Sequence, residues 1–245
     1  MCYTVEVIEE KSAAYGKRYQ QLWGDATDKS IQLPVQLPLF YFVSGFSHPQ
    51  LPFVTHQGIS LFAWGLIPLW VKDLKQAAEM QNRTLNAMGE TVFEKPSFRS
   101  VSKKRGLLGI NGFYEWRDIN KKKYPYLIQL KEEGLFSLGC IYESWVCKET
   151  GELFNTFSII TTPANPMMEQ IHNLKKRMPL IINREDEVRW VDPELSTEQI
   201  KQLIKPFPES KMEAYTVSNQ VNNARNERNI PEIIEKVTYP ELELI

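Results

Sequence analysis

Cysteine and histidine are scarce in this sequence, with three of each among 245 residues. The cysteines are Cys2, Cys140 and Cys147, an odd and sparse set that argues against a disulfide scaffold and for a reducing compartment. None stands at zinc-site spacing from a histidine, so no metal and no other cofactor is expected. Long apolar runs are missing as well. No stretch approaches the roughly 20 residues that cross a bilayer. The first residues lack the basic start and apolar middle of a secretory signal. A strong charge of one sign is also absent: the net charge is -1, which excludes a molecule that is basic over its whole surface.

What is present is ordinary globular material. Hydrophobic residues make up 42% and charged residues 24%, enough for a sizeable core. No repeat, low-complexity tract or linker divides the chain, so one domain over residues 1–230 with a C-terminal tail at 231–245 is expected. Strands are predicted at Cys2–Ile8, Gly58–Ile67, Tyr124–Leu130, Leu135–Tyr142, Phe154–Thr162, Met178–Ile182 and Tyr215–Val217. Helices are predicted at Lys11–Trp23, Lys72–Asn82, Asn165–Asn173, Glu185–Trp190 and Ser196–Ile204. Pro34, Pro38, Pro49 and Pro52 read as extended chain and loops around Leu39–Val43. Leu85–Thr91 reads as a polar loop entry, Val92–Lys104 as helix or turn, and Arg117–Lys123 as a hairpin loop. Strands joined by short polar turns predict an α+β fold, a mainly antiparallel sheet system with peripheral helices.

The chain is organised around Leu107–Trp116, an apolar run that passes a turn or bulge at Asn111-Gly112 and ends in Tyr114-Glu115-Trp116. A carboxylate among aromatic rings loses hydration, its acid form is favoured, and its pKa rises; this makes a general acid usable near neutral pH. The alternative is an outward Glu115 on an amphipathic strand. Cys2 becomes the first residue if Met1 is removed, and then carries a thiol and a free α-amine on adjacent carbons; otherwise it is an inert Cys at a frayed end. His172 can move protons near neutral pH, or is a structural or surface histidine, and Asn86 is either a ligand group or a helix cap. Two basic segments hold no acid: Lys95–Arg105, with Arg99, Lys103, Lys104 and Arg105, and His172–Arg184, with Lys175, Lys176 and Arg177. Trp64, Trp70 and Trp116 are candidate platforms for unpaired bases, with a core position the stronger reading for Trp64.

Taken in order, Met1-Cys2, Trp64-Gly65-Leu66-Ile67-Pro68, Asn86-Ala87 with Glu90-Thr91, Gly112-Phe113-Tyr114-Glu115-Trp116, Thr161-Thr162, Asn165, His172 and Arg177-Met178-Pro179 resemble the SRAP family. The name stands for SOS response-associated peptidase, a domain related to the vertebrate 5-hydroxymethylcytosine-binding protein. The resemblance covers nearly the whole chain. It implies a single α+β domain that binds single-stranded DNA and crosslinks covalently to abasic sites through Cys2. It assigns catalytic roles to Cys2, Asn86, Glu115 and His172. DNA contacts are expected from Arg99, Lys103, Lys104, Arg105, Arg177, Trp70 and Trp116. A cytoplasmic monomer is expected, nucleoid-associated if bacterial, with lyase-type chemistry and no membrane partner. The alternatives are an N-terminal cysteine hydrolase or peptidase and a non-catalytic reader of single-stranded or modified DNA. The chain departs from the family where Met88 replaces an Arg, so that Arg83 or Arg99 would take a phosphate there. It departs again where Tyr3-Thr4 replaces Gly-Arg, where Gly106 replaces Cys, and in the longer spacing from His172 to Arg177.

Overall fold

A computed structural model describes residues 2–7, 12–23, 39–132 and 134–242. Met1, Ile8, Lys11, Pro34 and Pro38, each part of a sequence expectation, lie outside the described residues. In chain order the first strands are β1 (Thr4–Val7), β2 (Phe40–Ser44), β3 (Gln50–Thr55), β4 (Gly58–Trp64) and β5 (Asn86–Met88). They continue as β6 (Arg105–Ile110), β7 (Gly112–Ile119), β8 (Lys122–Leu130), β9 (Phe136–Val146) and β10 (Leu153–Pro163). The last are β11 (Arg177–Pro179), β12 (Ile181–Ile182) and β13 (Met212–Thr216). The helices are α1 (Ser12–Tyr19), α2 (Leu74–Arg83), α3 (Pro166–Ile171), α4 (Glu187–Val191) and α5 (Thr197–Leu203).

These strands form two sheets. The five-stranded one runs β13-β8-β7-β1-β2, antiparallel throughout. The eight-stranded one runs β11-β10-β4-β3-β6-β9-β12, with β5 as the eighth strand paired to β10 off this path, and a β9–β10 pairing closes the path from β10 to β9 into a ring. Closure removes edges that would otherwise offer unpaired backbone groups. The expected α+β class holds, with two parallel contacts in the mainly antiparallel system, β10 with β4 and β10 with β5.

The organising stretch is the passage between the sheets. Leu107–Ile110 ends β6 in the ring, Asn111 bends, and Gly112 begins β7 in the other sheet. Asn111 N–H donates to the Glu6 carbonyl at 3.0 Å, which ties this crossover to β1. Glycine suits position 112 because a Cβ there would meet Glu6 Oε2 at 2.7 Å and Leu127 Cδ1 at 2.9 Å, so these side chains would have to shift.

Several predicted boundaries move. Pro52, in a segment expected as extended chain and loops, sits inside β3; it stands opposite Leu61 on β4, and its neighbours Leu51 and Phe53 pair with Phe62 and Ser60. The polar Leu85–Thr91 loop contains β5, drawn into the sheet because Asn86, Ala87 and Met88 pair with Ile159, Ile160 and Thr161. The Arg117–Lys123 turn is mostly strand: β7 and β8 run on to Ile119 and Lys122. Only Asn120 and Lys121 make the turn, with φ of 53° and 67°, the pair of positive values that a tight two-residue hairpin requires.

A core fills the space where the two sheets face each other. Val5, Phe113 and Ile128 from one sheet pack with Phe53, Leu108, Leu138, Phe157 and Ile159 from the other, and Cys2 is part of this cluster. A second cluster joins the ring to α1, α4 and α5 through Tyr15, Tyr19, Trp190 and Ile200. A third, around Phe42, Tyr114, Leu127 and Val217, lies on the outer face of the five-stranded sheet under Val221 and Ile233.

Candidate active site

Alternation along β7 decides where Glu115 points. Phe113 belongs to the core between the sheets and Tyr114 to the outer cluster, so Glu115 returns to the inner side. It is 3% exposed. Burial raises its pKa to about 7. The expected shift is present, but its expected source is corrected: successive strand residues face opposite ways, so Tyr114 and Trp116 pack mainly against the outer cluster. The inner environment, which includes Cys2, supplies the desolvation.

Cys2 reaches Glu115 because β1 lies beside β7. The antiparallel register pairs Val5 with Phe113 and Glu6 with Gly112, and extending it past Val5 runs Tyr3 toward Glu115. The Cys2 thiol is fully buried; burial, and then the Glu115 charge, push its pKa up. Asn86 approaches from the other sheet. Its side-chain N–H donates to the Cys2 carbonyl at 2.8 Å, and its Oδ1 is buried with no hydrogen-bond partner among the described residues.

His172 closes the group from α3. Asn165 caps this helix by accepting from Met168 N–H at 2.9 Å, with Pro166 at its first turn. His172 ends it, its N–H donating to the Met168 carbonyl. The next residue, Asn173, clamps the Asp118 backbone on β7 twice, donating to its carbonyl at 2.7 Å and accepting from its N–H at 3.0 Å. His172 Nε2 thereby stands 3.7 Å from Glu115 Oε2. Burial, followed by nearby positive charge, lowers the imidazole pKa to about 4, so the ring is neutral at pH 7. Its Nδ1 lies 2.8 Å from the Arg177 carbonyl. A carbonyl only accepts, so Nδ1 carries the proton and Nε2 presents a lone pair toward Glu115. A protonated carboxyl facing an unprotonated imidazole nitrogen is an arrangement that can pass a proton to a ligand and recover it.

A cavity of about 170 Å³ opens on Glu115 and His172, lined also by Tyr3, Trp116, Asp118, Lys123, Leu174 and Lys175. On the Asn86 side a second one of about 400 Å³ is lined by Trp70, Arg83, Asn86, Met88 and Lys95 among others. Trp70 is 46% exposed there. Arg83 lines this cavity beside Met88, and Arg99 does not.

The structure brings Cys2, Asn86, Glu115 and His172 together and places Trp70 and Trp116 on the flanks. It corrects part of the basic set. Arg105 is 2% exposed; its guanidinium donates to the carbonyls of Trp190 at 2.8 Å and Lys103 at 2.9 Å, and to that of Asp192. As a residue of β6 it points into the body of the protein, not toward a ligand. Arg177 holds Glu90 with two N–H groups and Thr161 through its carbonyl and hydroxyl, clasping β11 and the turn after β5 onto β10. Lys104 pairs with the buried Glu143 at 2.6 Å. Arg99 and Lys103 are exposed but line neither cavity. Trp64 is core, its indole N–H donating to the Leu85 carbonyl at 2.9 Å. Sequence reasoning passed over Lys123 and Tyr3 as cleft residues. The run Lys121–Lys123 was visible, but only strand pairing shows that the hairpin stands beside Glu115.

A two-sheet α+β domain that holds its second residue against a buried carboxyl–imidazole pair, at the floor of a cleft edged with lysines and tryptophans, is the class these features define. The chain belongs to the SOS response associated peptidase (SRAP) family, whose family model matches residues 33–224. It is similar to the abasic site processing protein YoqW of Bacillus subtilis, 42% identical over 70% of this chain and 74% of that one. It is also similar to the abasic site processing protein HMCES of Xenopus tropicalis, 31% identical over 71% of this chain and 56% of that one. A crystal structure of a protein from Bacteroides thetaiotaomicron superposes with a TM-score of 0.84 at 36% identity, covering 97% of this chain and all of the other.

Proposed function

We propose that the protein binds single-stranded DNA in this cleft and traps abasic sites as a thiazolidine through Cys2, once Met1 has been removed. The observation that carries the reading is the convergence of Cys2, Asn86, Glu115 and His172 from two sheets and a helix end. The names of the relatives, abasic site processing proteins, support it.

The open form of an abasic site is an aldehyde. The Cys2 amine attacks its carbon and gives a carbinolamine. Glu115, protonated up to about pH 7, delivers a proton to the departing hydroxyl, and water leaves an iminium. The thiol sulfur then adds to that carbon, its proton is lost, and a five-membered ring closes. One water is released overall and no oxidant is consumed. Burial keeps the thiol neutral, so the amine leads and the sulfur follows within one molecule, where proximity replaces acidity. His172 serves proton transfer at the sugar during ring opening, and Asn86 orients the Cys2 backbone. A cysteine hydrolase would need a thiolate at Cys2, which burial beside Glu115 opposes.

Incubating the protein with a single strand bearing one abasic site, followed by a denaturing gel, tests this. A heat-stable shifted band is expected from the wild type and none from Cys2→Ala. Equal crosslinking by Cys2→Ala would overturn the proposal.

A further inference from the structure

The cavity beside Glu115 and His172, about 170 Å³, is small. At the volume of liquid water it has room for about five molecules, and so for a ligand of about five heavy atoms. It falls short of the about 300–1,000 Å³ of sites that enclose larger ligands. A short-chain molecule fills such a space.

The charges around it favour a small anion. Lys123 and Lys175 line the cavity, and neither has an ion-pair partner among the described residues. The acids there are Glu115 and Asp118, and the Asp118 carboxylate accepts from the Lys121 N–H at 3.1 Å. Beyond burial, the charge of Lys175 acts on both Glu115 and His172, which sets this ammonium beside the pair. After burial, the charge of Glu115 acts on the Cys2 thiol, so the nucleophile stands near the same carboxyl. An aminothiol, a proton donor and a cation thus serve one confined volume.

We propose that this cavity also takes short 2-oxo acids that carry an aldehyde, glyoxylate being the smallest, and that Cys2 captures them as thiazolidines while Lys175 holds the carboxylate. The Cys2 amine adds to the aldehyde carbon. Glu115 gives a proton to the departing hydroxyl, and water leaves an iminium. The thiol sulfur adds to that carbon, and the proton it loses restores Glu115. One water is released and no oxidant is consumed. The product carries its carboxylate on the ring carbon between sulfur and nitrogen, and it caps both groups that an abasic site needs. The inference rests on the free aminothiol of the reading above, and not on its DNA.

Intact mass spectrometry of the full chain, in a sample whose mass lacks Met1, tests it. The peptide Cys-Tyr-Thr-Val, with the same free terminus and no cavity, is the reference. Glyoxylate is the anionic probe and glycolaldehyde the neutral one of similar size. Dividing each protein rate by the peptide rate cancels the hydration of the free aldehyde. The ratio for glyoxylate should exceed that for glycolaldehyde by about 5–10-fold, the worth of a hydrogen bond to a charged group near the surface. Lys175→Gln should remove most of this margin and leave the glycolaldehyde rate unchanged, and added salt should narrow it. Lys148→Gln, on the exposed turn after β9, is the remote control. Equal ratios for the two aldehydes, a margin that survives Lys175→Gln, or an adduct on Cys2→Ala overturns the inference. If the abasic strand crosslinks and glyoxylate shows no margin, the inference falls and the DNA reading stands. If glyoxylate adds with the margin and the abasic strand gives no band, the DNA reading falls and the cavity keeps its 2-oxo acid.

Discussion

Asn86 donates its amide N–H to the carbonyl of Cys2 across 84 positions of sequence, at 2.8 Å. That single bond joins the eight-stranded sheet, which carries Asn86, to the residue leading into the five-stranded one. It holds the backbone of the proposed nucleophile without touching either of its reactive groups.

Asn86→Ala should therefore misplace Cys2 more than it unfolds the protein. The expected result is a crosslinking rate lower by up to about 10²-fold, the cost of a displacement near 1 Å. The melting temperature should change only as far as one hydrogen bond of about 1 kcal/mol requires. Stopped-time gels and thermal unfolding on one sample separate the two; a normal rate would mean that Asn86 does not position Cys2.

Glu115 and His172 make opposite contributions to stability as pH changes. Glu115 has its folded pKa raised from 4.5 to about 7, so its contribution is complete below pH 4.5 and is lost as pH rises through 7. His172 has its folded pKa lowered from 6.5 to about 4, so its contribution is complete above pH 6.5 and is lost as pH falls through 4. Between these limits the two offset each other. Glu6, also raised to about 7 by burial, adds a second falling slope in every variant, so between pH 4.5 and 6.5 the wild type should lose stability as pH rises, Glu115→Gln should be nearly flat, and His172→Ala should fall most steeply. Denaturant melts across that range check this.

The same carboxyl sets a rate prediction. Attack needs a neutral amine and water loss needs an acid, so the crosslinking rate should be bell-shaped in pH. Glu115→Gln should lower it by about 10²–10⁴-fold while non-covalent DNA affinity stays near the wild-type value. If the rate per folded molecule is unchanged, Glu115 has no part in the chemistry.

Arg105→Ala should behave as a core lesion. Losing three guanidinium bonds to backbone carbonyls, one of them buried, is expected to cost about 2–4 kcal/mol. The salt dependence of DNA binding should not move, because this guanidinium is turned inward. A flattened slope in a folded Arg105→Ala protein would return Arg105 to the DNA interface.

Gly112→Ala should destabilise by about 1–3 kcal/mol, since the added methyl meets Glu6 Oε2 at 2.7 Å and Leu127 Cδ1 at 2.9 Å. Shortening the neighbour in Glu6→Ala should recover part of that loss. A double-mutant cycle with no coupling between the two positions would show that the carboxylate is not what excludes the methyl.

Much of this protein was determined locally. The α+β class, the core strands and the caps follow from alternation, helical spacing and short polar signals, which act between near neighbours. Cys2, Asn86, Glu115 and His172 could be named in advance because their motifs match the family in order, and the chemistry of a nucleophile, an amide, a carboxyl in an apolar run and an imidazole fits that match. Their meeting could not be read locally, because it depends on strand register: Val5 opposite Phe113, and Ile159 opposite Asn86. Nor could the fate of the cations. Arg99, Lys103, Arg105 and Lys123 look alike as charges in polar segments, yet pairing buries Arg105, leaves Arg99 and Lys103 outside the cleft and sets Lys123 at its mouth. Charge is a property of the residue, while which way it faces is a property of the sheet.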